Sequence, residues 1–277
     1  MKIGTLLTGA TALLSVLGGG FATYVAASKY AGMASLGEAQ ARVHVVRSVG
    51  EVPRFLIPER GYATNFMFAP DGLTDAGRAE LAKMRAQTLG ARDRMMAVRD
   101  TFVGSLGDRE AVRKAIDAIG AALADLHAKI DGALTQPLEQ RRQAVAKIVA
   151  DNAVLNRTVA DLISEQIRRV APLDGQAYRQ ANSANLAWAL RDAGGYNSSL
   201  HKNLIGAGRP ATAAERMDVA LAQGRADQLL AILKELKSDT TTAANVSKAL
   251  DALVASYGER FGGLLKRLRE QAETGRF

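Results

Sequence analysis

The chain contains no cysteine, which excludes disulfides, zinc–thiolate centres and thiol nucleophiles. Aromatic residues make up only 5% of its 277 positions, and runs of β-branched residues alternating with period two are missing. Both absences argue against a core built from sheets. The plentiful residues are Ala, Leu, Arg, Gln and Glu, all strong helix formers. The expected fold class is all-α. A hydrophobic content of 48% against 23% charged residues excludes a chain disordered by composition.

Signatures of catalysis are also missing. There is no Gly-x-Ser-x-Gly elbow, Walker loop or dinucleotide fingerprint. His44, His127 and His201 lie far apart, with no His-x-x-x-His or Glu-x-x-His spacing. The expectation is no enzymatic activity, no cofactor and no metal. The net charge of +8 is dispersed along helices among carboxylates, as at Lys114 and Asp117. Without a basic stripe or a recognisable module, nucleic acid is not an expected partner. An anionic ligand stays compatible with this charge.

What is present begins at the N-terminus. Ile3 to Ala27 carries no charged residue over 25 positions. At about 1.5 Å per residue that length spans a hydrocarbon core of ~30 Å. Lys2 and the amino terminus precede it, a small positive-inside bias. Residues 1–28 therefore read as a transmembrane anchor of the inner membrane, and 29–277 as an extracytoplasmic, periplasmic helical region. A cleaved signal peptide ending near Val25-Ala26-Ala27 is the alternative, although its apolar core would exceed the usual ~7–15 residues.

The first helix continues toward Ala69, with Pro53 and Pro58 expected to kink it. Thr74 reads as the cap of a helix to about Gly104, and Asp108 as the cap of the next. That next helix carries Val112, Ile116, Ile119, Leu123 and Leu126 on one face. Pro137 opens a long helix to about Val170. Asp174 begins another, ending near Gly206, and Thr212 with Glu215 forms a capping box. A last helix includes Val246, Leu250, Leu253, Leu264 and Leu268, weakened by Gly258, Gly262 and Gly263. About seven helices joined by short turns make an up-and-down arrangement of long antiparallel helices, in one or two four-helix bundles. Because seven is odd, an eighth helix and a second membrane span are expected beyond Phe277.

One unit occurs twice. Arg60-Gly61-Tyr62-Ala63-Thr64-Asn65-Phe66 is echoed by Gly194-Gly195-Tyr196-Asn197-Ser198-Ser199-Leu200. Each copy precedes a Thr-x-x-x-Arg helix start, Thr74 to Arg78 and Thr212 to Arg216. The echo implies two related halves. Gly61 and Gly195 are expected to allow close helix packing, Tyr62 and Tyr196 to occupy equivalent core sites, and Trp188 to anchor a core.

The run Glu59 to Phe68, followed by Arg78-Ala79-Glu80-Leu81 and Arg85-Ala86-Gln87, resembles the nitrate- and nitrite-sensing (NIT) helical domains with their Glu-Arg-Gly motif. Leu190 to Gly195 is similar to that family's second-half motif, and Trp188 to Glu215 resembles the sensory regions of methyl-accepting chemotaxis receptors. Where the family's second half often reads Glu-Arg-Ala, this chain has Asn197-Ser198-Ser199. The resemblance implies two stacked four-helix bundles, a homodimer, and arginines that bind a small oxyanion.

Arg60 is the first candidate for an anion contact, because guanidinium presents a planar donor fork. The alternative is a structural ion pair. Arg54, seven positions from Arg47, could extend a basic strip, or lie exposed. Arg191 matches a basic position of the second-half motif, and the Tyr62 hydroxyl could reach a ligand. The expected function is the ligand-sensing region of a chemotaxis-type transmembrane receptor. A singly anchored scaffold or interaction protein of the cell envelope is the alternative.

Overall fold

The structure is a computed structural model. It describes the backbone of residues 3–206, 211–238 and 244–255, with isolated positions beyond, and side chains from Met33 onward except scattered positions after residue 197. Seven α-helices, packed antiparallel, account for it: α1 (Ile3–Phe68), α2 (Asp75–Thr101), α3 (Arg109–Leu134), α4 (Leu138–Val170), α5 (Gly175–Gly206), α6 (Ala213–Ser238) and α7 (Ala244–Ala255). A 3-10 turn, Val103–Ser105, ends the stretch expected to be helical to Gly104. The fold is all-α.

Among the described residues no helix is long and apolar enough to cross a membrane. The side chains of Ile3 to Ala27, expected to form an anchor, lie outside the described residues, as do Val246's side chain, Gly258, Leu264, Leu268 and the chain end. The chain divides into two compact units, Met1–Ala177 and Tyr178–Phe277.

In the first unit α1 packs against α2 and α4, and α3 against the same two helices, so four helices close a bundle. The core face of α1 repeats every three or four residues. Val45, Val49, Val52, Leu56, Ala63 and Met67 are fully buried, and two charged residues, Arg42 and Glu59, continue the same stripe. Pro53 and Pro58 both lie inside α1, which continues through them although each removes a backbone donor. All five expected apolar positions of α3 are buried, as are Ile148, Leu155, Val159, Leu162 and Ile163 of α4. Each such side chain contributes roughly 1.5–3 kcal/mol.

The turn between α1 and α2 is built by three contacts. Gly72 adopts φ 68°, the left-handed region that favours glycine. The Thr74 hydroxyl accepts from the Gly77 N–H at 3.1 Å, as expected for a cap. Gly77 also lies under the Phe66 ring, whose Cζ would sit 2.5 Å from any Cβ there. Asp108 does not cap α3: its side chain makes no cap hydrogen bond, because its carboxylate turns to Arg42 on α1. Asp174 does cap α5, accepting from the N–H groups of Gln176 and Ala177 at 2.8 and 3.0 Å.

The second unit gathers Leu190 and Ala193 of α5, Ala226 and Leu233 of α6 and Leu250 of α7 into one core. The expected roles of the repeated glycines and of one tyrosine are corrected here. A Cβ at Gly61 or Gly195 would meet nothing within 4 Å, so neither serves close packing. Tyr196 is 58% exposed, not a core residue.

The two kinds of glycine predict opposite outcomes. Gly61→Ala raises stability by about 0.5–1 kcal/mol through the lower backbone entropy of the unfolded helix. Gly72→Ala lowers it by about 1–3 kcal/mol through its positive φ, and its Cβ would also lie 2.5 Å from Arg141 Nη1. Urea denaturation of the two variants checks both signs.

Candidate functional site

Charge buried in an apolar core must be paired. Glu59 is fully buried on α1. Arg85 of α2 donates from Nε to its Oε1, and His127 Nε2 of α3 lies 3.3 Å from the same oxygen. Arg85 also donates from both terminal nitrogens to Asp131 of α3, each at 3.0 Å. Burial pulls the Glu59 carboxyl upward, but His127, Thr88 and Arg85 together outweigh it and leave it below its ordinary value. Three helices therefore meet at one carboxylate.

Arg42 forms a second knot. It donates to Glu38 at 3.0 and 2.6 Å, to Asp108 of the turn before α3 at 2.9 Å, and to Gln166 of α4 at 2.6 Å. Burial raises the Asp108 carboxyl, and the Arg42 guanidinium, a backbone hydrogen bond and Arg169 together outweigh it and leave it below its ordinary value. Arg141 of α4 is a second buried guanidinium. It donates to the Ala69 and Pro70 carbonyls at 2.6 and 3.2 Å, satisfying acceptors at the end of α1. Arg42 and Arg141 did not stand out in the sequence, where charged residues read as solvated faces, and Glu59, Arg85 and Asp108 were noted there only as motif or cap residues, not as buried partners.

The expected anion contacts sit differently. Arg60 is half-buried on α1, and Tyr62 is half-buried with its ring edge-on to Phe66 at 5.2 Å. Arg54 is exposed, its guanidinium 5.4 Å from the Phe55 ring centre. Arg191 belongs to the second unit, exposed over the half-buried Trp188 ring at 4.7 Å. Arg54, Arg60 and Tyr62 thus share α1, and Arg191 does not join them within one unit. A shallow cleft of about 330 Å³ in the first unit is lined by Ala39, Gln40, Val43, His44, Asp174 and Ala177, with none of these arginines. Among the described residues no cluster of three or more His, Asp or Glu side chains could hold a metal ion.

The sequence echo is a structural one. Leu56 and Leu190, Glu59 and Ala193, Ala63 and Asn197, Met67 and His201 are buried pair by pair along α1 and α5. At the helix starts, Thr212 accepts from the Glu215 N–H at 3.2 Å as Thr74 does from Gly77, and Glu215 completes the capping box by accepting from the Thr212 N–H at 2.7 Å. A cross-helix polar pair recurs at the same sequence separation of 26, Glu59 with Arg85 and Asn197 with Gln223.

The second hairpin is neutral where the first is ionic. Asn197 Nδ2 donates to Gln223 Oε1 at 2.7 Å, and Gln223 Nε2 donates to Asp227 Oδ1 at 2.7 Å. One turn on, His201 Nδ1 lies 2.9 Å from the Asn197 carbonyl. Two acceptors are left over: Asn197 Oδ1 and His201 Nε2 are buried without a hydrogen-bond partner among the described residues. The sequence hint was the Asn197-Ser198-Ser199 departure inside the echo.

No protein-family model matches the chain, and no curated protein or solved structure matches it. What stands is an all-helical protein, with seven helices among the described residues and no family or homologue identified.

Arg85→Met strands Glu59 in the core and costs about 3–5 kcal/mol, most of which Glu59→Leu added to the same chain restores. Urea unfolding of both variants tests this. Glu59 is depressed in the fold, so its contribution is full above the ordinary carboxyl value of 4.5 and is lost as pH falls through its lower folded value. Glu59→Gln flattens that acid limb of the stability–pH curve.

Proposed function

We propose that this chain is the ligand-sensing region of a membrane-anchored, chemotaxis-type signal receptor. In this reading its N-terminal segment sits in the bacterial inner membrane and its bulk lies on the extracytoplasmic side. The observation that carries the proposal is α1. A single helix of 66 residues, roughly 100 Å long, joins the charge-free N-terminal stretch to the bundle core. Binding of a small ligand or a partner between helices would alter how α1 is held, and a small slide or tilt would pass along it. The second unit is then a bundle related to the first, and the receptor is a homodimer.

A second reading, an anchored scaffold of the cell envelope, draws support from one observation: the arginines expected to hold an anion do not gather in one unit. The two readings differ in small-molecule binding. The full chain, expressed in a bacterium, is expected to stay in the membrane after alkaline extraction and to be digested only by protease added from the extracytoplasmic side. Extraction by alkali, or digestion from the cytoplasmic side, defeats both readings. Calorimetry of the purified chain with small anions, organic acids, amines and periplasmic binding proteins then separates them: heat from any supports the receptor, and silence from all leaves the scaffold.

A further inference from the structure

The duplicated hairpin gives an internal control. At two successive core positions the first copy places Ala63 and Met67, and the second places Asn197 and His201, each no more than 1% exposed. An apolar-to-polar exchange at a buried position is unfavourable unless the new polar atoms find partners. The Asn197 amide nitrogen does, and so does His201 Nδ1. Asn197 Oδ1 and His201 Nε2 do not, among the described residues.

Their chemistry is fixed by their neighbours. Asp227 accepts from Gln223, which forces the Gln223 carbonyl toward Asn197 and the Asn197 amide nitrogen toward that carbonyl. Asn197 therefore presents oxygen, not nitrogen, at its remaining end. The Asn197 backbone carbonyl can only accept, so His201 carries its proton on Nδ1, and neutral imidazole presents a bare Nε2. Both atoms are acceptors, on one helix and one turn apart. The relay also has a sign. It starts at a carboxylate, and successive amides polarise one another, so Asn197 Oδ1 is more negative than an isolated amide oxygen.

From this geometry we infer that Asn197 and His201, backed by Gln223 and Asp227, form a binding site for a small protonated amine, an ammonium ion or a primary alkylammonium head. Such a head supplies several donors in a compact group, and its charge is favoured by the relay that ends at Asp227. An oxyanion has no donor for either atom and would meet the wrong potential. The site deepens the receptor reading and rests on it only for the consequence of binding, because occupancy of the site is measured independently of any signal.

The test uses the full chain in detergent. The His201 imidazole nitrogens are followed by NMR during titration with ammonium chloride and with methylammonium chloride, against sodium chloride and sodium nitrate at equal ionic strength. The expected result is a saturable shift of Nε2 with an amine and none with the sodium salts, accompanied by a rise in melting temperature. The double substitution Asn197→Ala and His201→Met installs the first hairpin's own residues in the second. It is expected to fold and to lose at least tenfold in amine affinity, read from the melting shift. No saturable shift in the native chain, an equal shift from sodium chloride, or an undiminished melting shift in the double variant overturns the site. A chain that binds an organic acid but no amine overturns this site and leaves the receptor reading intact.

Discussion

Two charges at core positions of one helix govern the first unit. Arg42 and Glu59 stand in the buried stripe of α1, about 25 Å apart along its axis. An apolar stripe repeating at three and four residues tolerates a neighbour displaced by one turn, because the next turn is also apolar. A buried charge does not. Moving α2 by a turn would separate Arg85 from Glu59. Moving α4 would separate Gln166 from Arg42. Four helices are thus held at two levels, by partners that are costly to lose. The same demand explains Asp108, which gives its carboxylate to Arg42 where a helix start would have used it.

The second unit repeats the hairpin with a different solution. Its cross-helix pair is amide to amide, Asn197 to Gln223, and the carboxylate that ends the chain of hydrogen bonds is Asp227 on the exposed side. An ionic core pair is strong only when geometry is tight. A neutral relay demands less and leaves lone pairs available. Both copies open their second helix on a capping threonine, Thr74 and Thr212, and they differ at the buried positions Ala63/Asn197 and Met67/His201.

Element boundaries were legible because they depend on local chemistry. Thr74, Asp174 and the Thr212–Glu215 box act through neighbours three residues away, and a linear sequence displays such pairs. The apolar faces of α3 and α4 were legible for the same reason, as periodicity. What a sequence hides is which partner a charge finds across 26 or 66 positions. Arg42 and Arg141 read as ordinary surface residues because their type is mostly exposed, and Glu59 and Arg85 were visible as motif residues but not as each other's partners. Heptad arithmetic offered one clue: Leu56 and Ala63 are seven apart, and Glu59 occupies the core slot between them. The repeated Gly-Tyr pair was visible, but its roles were not. Gly195 and Tyr196 face outward while Asn197, the next residue, turns inward.

The two hairpins therefore suit different tasks. The first has its buried ionic groups paired across helices, and displacing α1 there must break several charge-assisted bonds together. Unmatched buried acceptors occur in both hairpins among the described residues, Glu59 Oε2 in the first and Asn197 Oδ1 and His201 Nε2 in the second, at a cost of about 1–3 kcal/mol for each. Elements that respond to ligands come from the weakly stabilised end of a fold, because a small binding energy must suffice to change them. In the proposed reading the first hairpin, tied by charge-assisted bonds, couples along α1, and the second, held by a neutral relay, carries the amine site. A polar pair that destabilises the empty hairpin is the feature that lets a donor-bearing ligand restore it, since the gain on binding equals the deficit removed plus any new contacts. The neutral relay of the second hairpin, ending in two acceptors one turn apart on one helix, is the physical argument for the proposed amine site.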